Sequence, residues 1–153
     1  MTTDLVFVYG TLKRGERNHY FLAAADYLGP AFTEPNYRMI DCGPYPAMLD
    51  EAQTVALGAE PLVVAGEVYR IDAVTLADLD RLEDEGRLYR RAVIDVLSID
   101  GGACSQTPQT LRVSTYFWLG LPTAFPLVPG SAWREARLTP PTPRGRPADR
   151  DDV

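Results

Sequence analysis

Histidine is almost missing from this sequence: His19 is the only one in 153 residues, and the two cysteines, Cys42 and Cys104, stand far apart. A histidine-rich metal centre or a Ser/His/Asp triad has little material to draw on, and no cysteine spacing matches a zinc site or a disulfide framework. The thiols read as two buried side chains, and any catalysis falls to a carboxylate. Positive charge is also in short supply, with 15 Lys and Arg against 21 Asp and Glu and a net charge of -6. Without a basic face to neutralise phosphates, nucleic acid is excluded as an expected partner. Long apolar runs are absent too, none approaching the roughly 18 residues a membrane span needs. Residues 1–4 are polar and lead into a short apolar segment with no basic region before a signal-like core, so the sequence predicts a cytoplasmic protein, neither exported nor membrane-inserted.

What is present suits one globular domain, at 46% hydrophobic and 24% charged residues. The domain is expected over residues 1–138. The stretch 139–153, rich in Pro and polar residues, holds too little apolar surface to meet the entropy of ordering and reads as a disordered tail. Leu5-Val6-Phe7-Val8-Tyr9 is a buried strand closed by Gly10, and Asn18 to Leu28 places Tyr20, Phe21, Ala24, Tyr27 and Leu28 at near-helical spacing. Residues 31–49 alternate strand-like pieces with Pro and Gly turns. Leu62 to Arg70 is a second strong strand in which Gly66 marks a bulge or a close backbone approach. A helix opens at Thr75, with Asp78 as partner in a capping box, carries Leu76, Leu79 and Leu82, and stops at Gly86. Tyr89 to Ile99 and Leu111 to Trp118 return to strand alternation. The result is a mostly antiparallel, barrel-like sheet with two short helices.

Two places carry candidate chemistry. After the first strand, Tyr9-Gly10-Thr11-Leu12 reads either as an ordinary turn or as a nest, in which glycine lets successive N–H groups face a carboxylate or phosphate. In Glu83-Asp84-Glu85, Glu83 follows Leu79 by four positions and lies at the edge of the apolar stripe, where Asp80, Asp84 and Glu85 do not. It is either one more solvated charge or a half-buried carboxyl whose pKa rises into the range useful for moving protons. Alternation sets Tyr89 and Arg91 on one strand face and Arg90 on the other, so one arginine is placed to pair with the helix carboxylates. Tyr116 and Trp118 share a face and either line a pocket or fill the core, while His19 reads as a surface or helix-start residue.

Taken in order, VFVYGTLKRG at 6–15, Asn18-His19, Pro44-Tyr45-Pro46, Gly66-Glu67-Val68-Tyr69 and LDRLE at 79–83 with Tyr89 and Arg91 resemble the γ-glutamylcyclotransferase-like family, and most closely its γ-glutamylamine cyclotransferase branch. The resemblance spans about residues 5–118. It implies an α+β fold, a compact mixed but largely antiparallel β-barrel with short flanking helices. It also implies an enzyme that closes a γ-glutamyl group to 5-oxoproline and releases an amine from a small-molecule substrate, with no metal or organic cofactor. Tyr9, Gly10, Thr11 and Leu12 would hold the α-carboxylate and amine end of the substrate, Glu83 would be the acid/base, and Tyr116 would line the site. The alternatives are a cyclotransferase for γ-glutamyl amino acids or for a γ-glutamyl-protected biosynthetic intermediate, and a non-catalytic binding module of the same fold. The chain departs from the family at Asp84-Glu85-Gly86, where many members place Gly directly after the glutamate.

Overall fold

Strand β1, Thr3–Val8, lies at the centre of the fold because it is apolar on both faces. In a computed structural model, which describes residues 3–98 and 108–133, it pairs antiparallel with β5 (Ala65–Asp72) on one side and parallel with β7 (Gln109–Trp118) on the other. The remaining barrel strands are β2 (Asp26–Thr33) and β6 (Tyr89–Ser98), so the ring runs β1-β5-β2-β6-β7 and back to β1. The short hairpin of β3 (Arg38–Asp41) and β4 (Pro46–Leu49) hangs on β7 through a parallel step, Met48 opposite Phe117. The expected mixed, largely antiparallel barrel is the fold observed. Closure removes the exposed edges that an open sheet would present.

Alternation divides the core. Phe7, Ala31, Val68, Val96 and Val113, one from each barrel strand, meet in one apolar cluster. The opposite faces of β1, β5, β6 and β7 contribute Val6, Val8, Tyr69, Tyr89 and Tyr116 to a second cluster, which is covered by Leu79 of helix α2 (Ala73–Leu82) and Leu22. Gly66 is a close approach, since a Cβ there would lie 2.4 Å from the Val8 carbonyl oxygen. The bulge is instead in β2, between Tyr27 and Gly29.

Several boundaries differ from the sequence reading. Asn18 to Leu28 is not one helix: a single 3-10 turn, His19–Leu22, gives way to β2 at Asp26, because β5 offers that segment a ladder and Tyr69 offers Tyr27 a ring 5.3 Å away. Leu62 is held only by an isolated bridge to Tyr37, and β5 starts at Ala65. The α2 cap is Asp72, whose side chain accepts from Thr75 N–H at 2.8 Å, so Thr75 lies inside the first turn instead of before it. The helix ends at Glu83, three residues ahead of Gly86. Helix α1, Glu51–Leu57, occupies a stretch to which the apolar pattern assigned nothing; the Asp50/Gln53 capping box and Gly58 at φ 75 define it. Arg90 and Arg91 diverge as alternation requires, the first to Asp50 at 2.7 Å and the second to Asp80 on α2. No helix among the described residues is long and apolar enough to cross a membrane. Cys104, Ile99 and the stretch 139–153 lie outside the described residues.

Candidate active site

The end of β1 turns sharply because Gly10 passes directly under Pro46; a Cβ there would sit 2.7 Å from the proline ring. Lys13 N–H closes the turn on the Gly10 carbonyl at 3.0 Å. Asn18 then ties the loop back, its backbone N–H to the Thr11 carbonyl at 2.9 Å and its side-chain amide to Thr11 Oγ1 at 3.0 Å. The N–H groups of Thr11 and Leu12 meet no acceptor among the described residues. Unspent donors in a glycine turn offer an anion a concave set of partial positive charges.

This loop forms one wall of a cavity of about 220 Å³, and Glu83, Tyr45, Tyr89 and Tyr116 line other parts of it. All six residues singled out from the sequence, Tyr9, Gly10, Thr11, Leu12, Glu83 and Tyr116, border this one space. Their side chains do different things there. Tyr9 is structural at its tip: its hydroxyl donates to the Tyr116 carbonyl at 2.7 Å and accepts from Met48 N–H at 3.1 Å, stitching β1 to β7 and β4. Tyr89 donates to the Pro46 carbonyl at 2.9 Å. Tyr116 donates to Asp80 Oδ1 at 2.6 Å, and Asp80 also pairs with Arg91.

Glu83 is the C-cap of α2, its N–H still bonded to Leu79 at 2.9 Å, so the helix aims its side chain into the ring of tyrosines. The neighbouring acids are all engaged: Asp80 by Tyr116 and Arg91, Asp84 by Arg87 at 3.3 Å, and Glu85 by the Arg91 N–H at 3.2 Å. Among the described residues nothing donates to the Glu83 carboxylate and no cation pairs with it. Burial pushes its carboxyl from 4.5 up to about 7, the expected direction when an ion loses water without gaining a partner. Burial likewise raises the hydroxyl pKa of Tyr9, Tyr89 and Tyr116, and the Glu83 charge adds to each. Directly after Glu83, Asp84 holds φ 54, in the left-handed region that favours glycine. A glycine at this position would take up the same turn without the steric cost a side chain bears.

The sequence reading missed Asp80, which it placed away from the buried edge. The signal was present, since Asp80 and Glu83 are three apart and share a helix side. It also gave no place to Arg17, which lines the cavity. Cys42 is a partly buried free thiol whose pKa burial raises to about 11, which leaves it unreactive near neutrality. No group of three or more potential ligands that could hold a metal occurs among the described residues. Gly10→Ala is expected to lower stability by about 2 kcal/mol, because the added methyl must displace Pro46; thermal denaturation measures this.

The family model described as Gamma-glutamyl cyclotransferase, AIG2-like, matches residues 6–135. A Vibrio cholerae relative is 45% identical over 91 residues, which cover 60% of this chain and 71% of that protein. Human gamma-glutamylaminecyclotransferase is 36% identical over 103 residues, 65% of each chain. Of solved structures, YkqA from Bacillus subtilis has a TM-score of 0.66 at 22% identity, a likeness of fold that covers 90% of this chain and 42% of that longer one. With the family model matched over most of its length, the chain belongs to the AIG2-like gamma-glutamyl cyclotransferase family.

Proposed function

We propose that this protein is a γ-glutamyl cyclotransferase that converts a γ-glutamyl amine to 5-oxoproline and the free amine, with Glu83 as its acid/base. The observation that carries the reading is a half-buried, unpaired carboxyl at about 7 in a cavity shared with a glycine turn whose amides are unspent. The substrate contains both reactants. Folded back, its α-amine attacks its own γ-carbonyl carbon, the new C–N bond closes the lactam, and the C–N bond to the departing amine breaks. Orientation is the main task, and well-placed intramolecular reactants reach effective molarities of about 10⁵ to 10⁸ M. The Gly10–Leu12 turn holds the α-carboxylate. Glu83 takes a proton from the α-ammonium and delivers it to the leaving nitrogen. Over the cycle both displaced ammonium protons end on the amine, which departs as an ammonium ion, and the carboxylate is restored.

The substrate is proposed to be a γ-glutamyl amine joined through a side-chain or alkyl amine, as in γ-glutamyl-ε-lysine, a reading supported by the similarity to human gamma-glutamylaminecyclotransferase. Arg17 favours a second reading. As the one cation among the described lining residues, it suits a leaving amino acid joined through its α-amine, whose carboxylate lies directly beside the scissile bond. Comparing kcat/KM for γ-glutamyl-ε-lysine, a neutral γ-glutamyl alkylamide and γ-glutamyl amino acids separates the two. A preference for α-linked carboxylates would displace the first reading, and a protein inert toward every donor would remove both. Because Glu83 must be ionised to accept the first proton, kcat/KM is expected to climb with pH through about 7. An ascending limb near 4.5 would mean that the free carboxyl is not raised as described.

A further inference from the structure

We propose that Glu67 and Tyr69, neighbours on one face of β5, are positioning residues that grip the Gly10–Arg14 loop at two points and hold it in shape around the cavity. The proposal rests on the reading of that loop as the substrate's holder. Neither residue lines the cavity, so neither touches the reacting atoms.

The first grip is Glu67. Its Oε1 accepts the backbone N–H of Arg14 at 2.9 Å and the Tyr69 hydroxyl at 3.0 Å. A carboxylate oxygen taking two donors forms charge-assisted bonds, about twice as strong as neutral ones. The second grip passes through Tyr69. The His19 ring lies 5.7 Å from the Tyr69 ring, and His19 Nδ1 lies 2.9 Å from the Leu12 carbonyl oxygen. The Tyr69 ring is itself backed by Tyr27 at 5.3 Å, and the Arg14 guanidinium lies over Tyr27 at 4.5 Å. Leu12 and Arg14 are thus held from one strand, while the Thr11 and Leu12 N–H groups stay unspent. The strand is fixed in turn. Glu67 stands opposite Val8, two residues before the turn, and Gly66 lets β5 lie against β1 at a distance any side chain would forbid. Strand, clamp and loop therefore form one rigid unit, which is what a site built on backbone donors needs, since loose amides must be ordered by the substrate itself.

Glu67→Ala and Glu67→Met both remove the acceptor, the second keeping the chain length, while Glu67→Gln keeps an acceptor in place. Three quantities are read: amide hydrogen exchange across the loop, KM and kcat for γ-glutamyl-ε-lysine, and the thermal midpoint. With Ala or Met, exchange at Arg14 and its loop neighbours is expected to quicken about tenfold, the scale of one net hydrogen bond, with core β7 amides unchanged. KM is expected to rise about tenfold with kcat changed much less, and Gln is expected to return both toward wild type. A merely structural role would lower the midpoint and leave KM intact. Unchanged loop exchange and KM in Ala and Met, or Gln as impaired as Ala, would overturn the clamp. Should the wild type turn over no γ-glutamyl donor, the proposed reaction fails, and the exchange data still decide the clamp.

Discussion

Glu83→Gln is expected to lower 5-oxoproline formation by at least the 10² to 10⁴ typical of a lost acid/base, roughly, while the protein becomes more stable above neutral pH. The two effects have one cause. Folding carries this carboxyl from 4.5 to about 7 by burial, without a compensating partner among the described residues. The folded state therefore favours the protonated form. Its contribution is complete below about pH 4.5 and is lost as pH rises through about 7, beyond which the fold carries a half-buried, unpaired carboxylate. At about 1.4 kcal/mol per pKa unit the penalty reaches up to about 3 kcal/mol, less whatever water in the cavity recovers. Glutamine is isosteric and uncharged, so the variant should melt several degrees higher than wild type at about pH 8, with the gap closing toward about pH 4.5. Thermal melts across that range, beside a turnover assay, measure both. A variant that loses activity and also loses stability at high pH would show that Glu83 supports the fold.

The largest loss of stability is expected from Gly66→Ala. Its φ is not at issue; the neighbours are. The added methyl would lie 2.4 Å from the Val8 carbonyl oxygen and 2.7 Å from the Phe7 ring. Backbone cannot yield there without separating β1 from β5, the pairing that runs from Thr3 opposite Asp72 to Val8 opposite Glu67. We expect a loss of about 3 kcal/mol, at the upper end for overpacking, or roughly 10 °C in Tm for a domain of this size. Urea unfolding measures it directly. A loss under about 1 kcal/mol would mean that the two strands can part cheaply.

What the sequence made legible follows from how local each signal is. The β1 run and its closing glycine, the β6 and β7 alternation, and the Leu76-Leu79-Leu82 stripe are all short-range patterns, and each lies where expected. Glu83 emerged from the same stripe, because being four positions after the buried Leu79 places it at the cavity edge. Helix α1 was missed although the Asp50 and Gln53 spacing marks its start, since of its residues only Thr54 is buried and its apolar stripe is faint. The Asn18 to Leu28 helix was overread because ladder partners on β5, Arg70 for Asp26 and Tyr69 for Tyr27, override a helical spacing of aromatics. The clamps were beyond any local pattern. Tyr9 to Tyr116 spans 107 positions, Arg14 to Glu67 spans 53, and Tyr89 to Pro46 spans 43. Only barrel closure brings those segments together.

Asp80 shows the same limit within one helix. Its spacing from Glu83 is readable, yet its engagement depends on Arg91 from β6 and Tyr116 from β7 arriving on that side. An acidic run looks uniform in sequence. In the fold, Asp80, Asp84 and Glu85 each find donors, and the one carboxyl of the run left without any among the described residues is the one facing the cavity.

The most direct measurement is 5-oxoproline release from γ-glutamyl-ε-lysine by the purified protein, followed by mass spectrometry beside Glu83→Gln. The expected result is many turnovers per wild-type molecule and almost none from a variant that remains folded. Equal release from both proteins would contradict the role assigned to Glu83, and no release by the wild type from this or any other γ-glutamyl donor would contradict the proposed reaction.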